Sequence, residues 1–208
     1  MIAIIDYDAG NVKSVQNALK KLGFDAEITS DIETIKNAEK VIFPGVGEAS
    51  SAMKKLHERG LDAVIPNLKQ PVLGICLGMQ LMCNSSEEGN TNALGIFDCE
   101  VKLFPNSDIV PHMGWNNVSE IKGKLLKNIS ETDNFYFVHS FYATICKNTS
   151  SVCDYITPFS ATLEKDNFFA AQFHPEKSGD VGFKLLKNFL NLRFKISDFR
   201  LKKSNRDS

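Results

Sequence analysis

The sequence has 208 residues, 43% hydrophobic and 24% charged, enough for one well-cored domain. A formal net charge of −1 gives no electrostatic case for a nucleic-acid or membrane partner. The N-terminus has no basic region and no apolar run approaches the ~18 residues of a membrane span, so the expected location is cytoplasmic.

Strand and helix signals alternate through the first half. Ile2 to Tyr7 reads as a first strand, Asp8-Ala9-Gly10-Asn11 as a turn, and Val12, Val15, Ala18, Leu19 and Leu22 recur at helical spacing until Gly23. A short strand at Ala26 to Thr29, a brief helix from Asp31 and a strand at Lys40 to Phe43 follow. That strand ends in Pro44-Gly45-Val46-Gly47. Helical segments at Ala52 to Leu56 and Ala63 to Leu68 precede a buried strand running into Cys76. This alternation predicts a doubly wound α/β sheet, with ligands at the carboxyl ends of its strands.

Cys76 sits between Gly74 and Gly78, the spacing of a nucleophile elbow in which small neighbours let a strained turn project one reactive side chain. The following Leu77 to Met82 has helical composition, and a helix N-terminus favours the thiolate. Pro44-Gly45-Val46-Gly47 lies at a neighbouring strand end. Its backbone N–H groups, with that of Leu77, fit an oxyanion hole; the alternative is a tight strand-to-helix turn. GxGxxG and GxxxxGK[ST] are both missing, so neither a dinucleotide nor a P-loop site has support, and no cofactor is expected. Five cysteines, Cys76, Cys83, Cys99, Cys146 and Cys153, without a CxxC pair argue against a disulfide framework and against a metal site. The Asn-x-Ser sequons at Asn84, Asn117, Asn128 and Asn148 then read as chance.

From Cys99 onward the pattern shortens to strands at Glu100 to Leu103, Phe135 to Val138, Val152 to Ile156 and Phe168 to Phe173, read as strands added to the same domain. Phe173-His174-Pro175-Glu176 supplies a base and a carboxylate. Pro175 holds His174 extended, and residues i and i+2 of an extended chain share a face. Cys76, His174 and Glu176 thus have the parts of an acyl-transfer site; singly, each reads as a core thiol or a loop turn. A last amphipathic helix is predicted over Gly182 to Phe194 with Phe183, Leu185, Leu186, Phe189 and Leu190 as its apolar side. The domain is read as residues 1–195, and 196–208 as a C-terminal tail.

Gly74-Ile75-Cys76-Leu77-Gly78-Met79-Gln80 together with Phe173-His174-Pro175-Glu176 resembles the class I (triad) glutamine amidotransferases. The surrounding sequence is similar to their imidazole glycerol phosphate synthase glutaminase subunits. That similarity rests on Ile5-Asp6-Tyr7 with Gly10-Asn11, Pro44 to Gly47, Pro111-His112-Met113-Gly114-Trp115-Asn116, Tyr136 to Ser140 and Gln172 to Ser178.

The resemblance implies a flavodoxin-like three-layer α/β sandwich with a mostly parallel central sheet and added antiparallel strands. It implies that Cys76 attacks the side-chain amide of glutamine, His174 carries the proton and Glu176 holds His174. Val46, Gly47 and Leu77 would form the oxyanion hole, Val46 after its peptide reorients. Gly47, Gln80, Ser140, Phe141 and one of Glu87 and Glu88, with Glu88 preferred, would hold glutamine. Met113, Trp115, Asn116 and Lys177 would meet a (β/α)8 cyclase subunit that receives the ammonia, with Lys177 as its gate. On the residues alone, core packing is as good a reading of Trp115, and a solvated surface position is the commoner fate of a lysine such as Lys177. Phe141 stands where tyrosine is common, so a backbone contact survives there and a hydroxyl contact does not. His139 is a second histidine nearby, but His174 has the adjacent carboxylate. Two other readings stay open: a paralogue feeding another acceptor such as a sugar-modifying enzyme, and a flavodoxin-like regulatory module with Cys76 as a sensor thiol.

Overall fold

A computed structural model describes residues 1–8 and 10–193. The first half alternates as its hydrophobic periodicity predicts. Strands β1 (Ile2–Ile5), β2 (Ala26–Thr29), β3 (Lys40–Gly45) and β4 (Val72–Cys76) are separated by helices α1 (Val12–Lys21), α2 (Ile32–Asn37), α3 (Ala49–Glu58) and α4 (Leu61–Val64), the last followed by a 3₁₀ turn at Ile65–Asn67. Helix α5 (Leu77–Leu81) starts directly after β4. The first strand stops at Ile5, two residues short of the expected Tyr7, and β3 runs on through Pro44 to Gly45.

The second half holds β5 (Ser85–Ser86), β6 (Thr91–Asn92), β7 (Glu100–Leu103), β8 (His112–Asn117), β9 (Asn134–His139), β10 (Phe141–Ala143), β11 (Thr149–Cys153), β12 (Phe159–Lys165), β13 (Phe168–Ala171) and α6 (Gly179–Leu190). This half departs from the predicted pattern. The strand expected over Val152 to Ile156 is β11, placed three residues earlier. Strands β5, β6, β8, β10 and β12 were not anticipated. The final helix begins at Gly179 and ends at Leu190, short of the expected Phe194. Phe194 and the predicted tail, 196–208, lie outside the described residues.

The main sheet has the order β11-β12-β13-β4-β3-β1-β2. Strands β13, β4, β3, β1 and β2 are mutually parallel, whereas β12 at one end pairs antiparallel with both β13 and β11. The sheet is therefore mostly parallel with an antiparallel extension, as the resemblance implied. Ile2 and Ile4 of β1 face a core shared with α1 and α6, while Ala3 and Ile5 face one shared with α2 to α5. Period-2 alternation thus builds three layers. A four-stranded sheet (β10-β7-β5-β6) and the β8-β9 hairpin pair complete the second half.

Candidate active site

Parallel pairing assembles the site at the carboxyl edge of the main sheet. Cys76 ends β4 opposite Gly45, so the loop after β3 lies beside the thiol. Its backbone is held at φ 54°, ψ −111°, a sparsely populated conformation costing about 1–3 kcal/mol for a side-chain-bearing residue. The elbow packs against β3 so tightly that a Cβ on Gly78 would fall 1.9 Å from the Phe43 carbonyl oxygen. Only glycine lets α5 begin there.

Strand β13 lies next to β4, with Ala171 opposite Ile75, and its continuation carries Gln172 and His174. His174 is extended (φ −100°, ψ 96°), as the residue before proline should be. The chain then turns, because Pro175–Lys177 forms a 3₁₀ turn rather than a strand. Glu176 therefore meets His174 across a turn and not along one strand face: Nδ1 and Oε1 are 2.8 Å apart, with both side chains buried. Ser178 Oγ locks the turn by donating to the His174 carbonyl (2.7 Å) and accepting from the Tyr136 amide (3.0 Å).

Nε2 of His174 and Oε2 of Glu176 are buried without hydrogen-bond partners. Burial would push the imidazole down, but the neighbouring Cys76 sulfur and the hydrogen bond and charge of Glu176 overcome it and hold the ring well above its ordinary range, near 10. The arrangement has a nucleophile on one strand, a base on its neighbour and a carboxylate fixing that base.

Val46 and Gly47 follow β3 directly, Gly47 at φ 108° and Val46 exposed. Glu48 then caps α3, its carboxylate accepting from the amides of Ser50 (3.0 Å) and Ser51 (2.7 Å), which anchors the far end of the loop. Leu77 is buried at the start of α5. Gln80 is buried and donates to the Phe141 carbonyl (2.8 Å) and to Gln172 Oε1 (3.0 Å). Ser140 accepts at its carbonyl from the Phe104 amide (3.0 Å). The backbone of Phe141, not a hydroxyl, makes its contact there. Glu88 is the better placed glutamate: half-buried, it accepts from the Ala49 amide at 2.8 Å, next to the loop after β3. Burial raises its carboxyl, opposed by that amide and aided by Glu48. Glu87 is exposed and accepts from the Leu103 amide instead (2.8 Å).

One residue of the site escaped sequence reasoning as a participant. Gln172 is fully buried and its Nε2 donates to Cys76 Sγ at 3.8 Å. Its place two residues before His174 in an extended chain was the available signal.

The β8-β9 hairpin pair separates the expected interface residues. Met113 and Trp115 are exposed on one face, 67% and 59% respectively, and Trp115 packs edge-on against Tyr136. Core packing therefore does not describe Trp115. The exposed Lys177 lies beside this patch, 6.0 Å from the ring centroid of Tyr136, the cross-strand neighbour of Trp115. Asn116 is on the opposite face, its amide donating to the Asp154 carbonyl (3.1 Å). Among the described residues no cluster of three or more His, Cys, Asp or Glu could hold a metal ion, and no helix is long and apolar enough to cross a membrane.

Comparison with known proteins gives consistent matches. Residues 3–192 match the family model described as glutamine amidotransferase class-I. The chain is 57% identical over 194 residues to the imidazole glycerol phosphate synthase subunit HisH of Bacteroides fragilis (strain YCH46), spanning 92% of this chain and 99% of the relative. Identity to the subunit of the same name from Colwellia psychrerythraea is 45%, over 91% and 92% of the two chains. Among solved structures, a putative GMP synthase subunit from Thermoplasma acidophilum superposes with a TM-score of 0.71 at 16% identity, over 98% and 96% of the chains. PurLQS from Thermotoga maritima gives 0.69 at 18%, over 91% and 97%. At those identities the two structures speak for the fold alone.

Proposed function

The chain belongs to the class I glutamine amidotransferase family, among the HisH subunits of imidazole glycerol phosphate synthase, and on that premise we propose how its own residues perform the reaction. It is the glutaminase subunit of that synthase, acting in histidine biosynthesis. Residues 1–195 make up its amidotransferase domain, and its location is cytoplasmic.

The observation that carries the residue assignment is the buried His174–Glu176 contact next to the strained Cys76 elbow. His174, held well above its ordinary range, carries the proton of the Cys76–His174 pair, and Cys76 Sγ attacks the side-chain carbonyl carbon of glutamine. His174 returns that proton to the departing nitrogen, which leaves as ammonia while a thioester forms on Cys76. His174 then draws a proton from water, whose oxygen displaces the sulfur and releases glutamate. Glu176 keeps the imidazole oriented and balances its positive charge. The N–H groups of Gly47 and Leu77, joined by that of Val46 once its peptide reorients, stabilise the developing oxyanion, where one donor is worth about 10²–10³ in rate. Gly47, Gln80, Glu88, Ser140 and Phe141 surround the α-amino and α-carboxylate groups of glutamine.

The partner is a (β/α)8 cyclase subunit, docked on the patch of Met113, Trp115 and Lys177 with Asn116 behind it, and Lys177 controls ammonia entry. The exposure of two large apolar side chains on one strand face supports a protein contact there. Glutamate release from glutamine tests both parts, using the purified chain alone and with the cyclase partner plus its ribulosyl ligand. A low basal rate that rises steeply in the mixture, and is lost in Cys76→Ala, is expected. A rate indifferent to the cyclase, with Cys76 still alkylated by a glutamine analogue, would point to a different acceptor.

A further inference from the structure

Behind Ser140 and Phe141 lies a file of buried polar side chains that the triad does not use. His139 Nδ1 is 2.8 Å from the Phe141 carbonyl oxygen. His112 Nδ1 is 3.1 Å from His139 Nε2, and Asn116 Nδ2 is 3.4 Å from His112 Nε2. Both imidazoles are buried among aromatic rings. His112 stacks on Tyr155 (centroids 4.0 Å) and Phe137 (4.8 Å), while His139 packs against Phe104 (5.3 Å) and Phe159 (5.1 Å).

A carbonyl oxygen only accepts, which assigns the hydrogen of His139 to Nδ1 and leaves its Nε2 an acceptor. That acceptor requires a donor, so His112 also carries its hydrogen on Nδ1. Its Nε2 then accepts from the Asn116 amide. Every link runs the same way, and only with both rings neutral. A second proton on either ring would set two N–H groups face to face or aim one at the Asn116 amide. The preference of both rings for the neutral form, pushed down by burial to about 4 and about 3, agrees with this. Aromatic side chains would fill the same space without the cost of burying four ring nitrogens.

We propose that His112 and His139 are positioning residues: as a neutral tandem of fixed polarity they aim the Phe141 carbonyl, and with it the Ser140–Phe141 segment that holds glutamine. The same carbonyl accepts from Gln80, whose partner Gln172 donates to the sulfur of Cys76. The tandem therefore sets one carbonyl that serves both the substrate side and the nucleophile side of the site. This inference rests on the glutaminase reading.

Initial-rate kinetics of glutamine hydrolysis by the complex with the cyclase subunit, with thermal melts, form the first test. His139→Leu removes the donor to Phe141 and should raise KM for glutamine about tenfold, with a smaller change in kcat. His139→Asn places an amide nitrogen near the lost Nδ1 and should recover most of that KM while melting no higher than the leucine variant. An unchanged KM in His139→Leu, or recovery that tracks only melting temperature, would overturn the proposal. A wild-type complex that releases no glutamate would count against the glutaminase reading instead. The ¹⁵N spectrum of the histidine rings at neutral pH needs no activity. Both His112 and His139 should be Nδ1–H tautomers, and an Nε2–H tautomer at either ring overturns the tandem.

Discussion

Replacing Glu176 by glutamine keeps the size of the side chain and removes the charge that faces His174 Nδ1 at 2.8 Å. Both groups are almost wholly shielded from water, with 2% and 1% of their side chains exposed. A hydrogen bond to a charged group contributes about 1.5–3 kcal/mol, and Glu176→Gln should lower unfolding free energy by about that much. The larger penalty of a stranded buried charge is avoided because the imidazole can shed its proton. The pH dependence follows from the direction in which His174 is displaced. Its folded value lies above the ordinary 6.5, near 10, so its stabilisation is complete below pH 6.5 and fades as pH rises through 10. The deficit of the variant, measured by urea unfolding at a series of pH values, should be greatest below pH 6.5 and shrink towards pH 10. The glutamine amide can also donate to Nδ1 and reverse the imidazole tautomer, leaving Nε2 unable to accept the thiol proton. A fall in kcat of about 10²–10⁴ is expected from that. A deficit that is flat or grows with pH would refute the electrostatic account, and an unimpaired kcat would refute the orienting role.

Gly78→Ala would press a methyl group to 1.9 Å from the Phe43 carbonyl oxygen and should cost at least about 3 kcal/mol, read as a large drop in melting temperature; an unchanged melt would mean that the elbow is looser than described. His112 and His139 prefer the neutral state in the fold but titrate near 6.5 when unfolded, so their stabilisation is present above pH 6.5 and lost as pH falls towards 4. Between pH 7 and 5 the loss should be on the order of 2–4 kcal/mol and should vanish in a double phenylalanine variant, as followed by denaturant unfolding. Trp115→Ala should leave stability within about 0.5 kcal/mol and weaken cyclase binding by about tenfold or more in calorimetric titration; unaltered affinity would remove Trp115 from the docking surface.

The parallel half of the fold was legible because β1, β3 and β4 are continuous apolar runs, as strands covered on both faces should be. The chemistry was legible for a different reason: Cys76 with its glycines and His174 with Pro175 and Glu176 are each local patterns. Strand β8 hid because its polarity is inverted, with His112 buried while Met113 and Trp115 face outward. Period-2 reading assigns such a strand to the wrong face or to none. Strand β12 hid because its buried residues include Ser160 and Thr162, which hydrogen-bond to Thr149, Ser150 and Ser151 at 2.7 Å. Polar residues that satisfy one another erase the hydrophobic signal. The functional contacts that sequence could not supply, Gln172 with Cys76 and His112 with His139, depend on the register of β13 against β4 and of β8 against β9.

The position of β13 also bears on how the protein is made. This strand is the last of the main sheet to leave the ribosome, yet it inserts between β12 and β4 rather than adding at an outer edge. Until it arrives, β4 has a neighbour on one side only, and the thiol at its end has been translated well before its base. A polypeptide stalled before Phe168 would be an aggregation hazard with an open sheet edge, but it would not squander glutamine. Catalytic competence and closure of the sheet come together, with the emergence of β13 and the His174 segment that continues it.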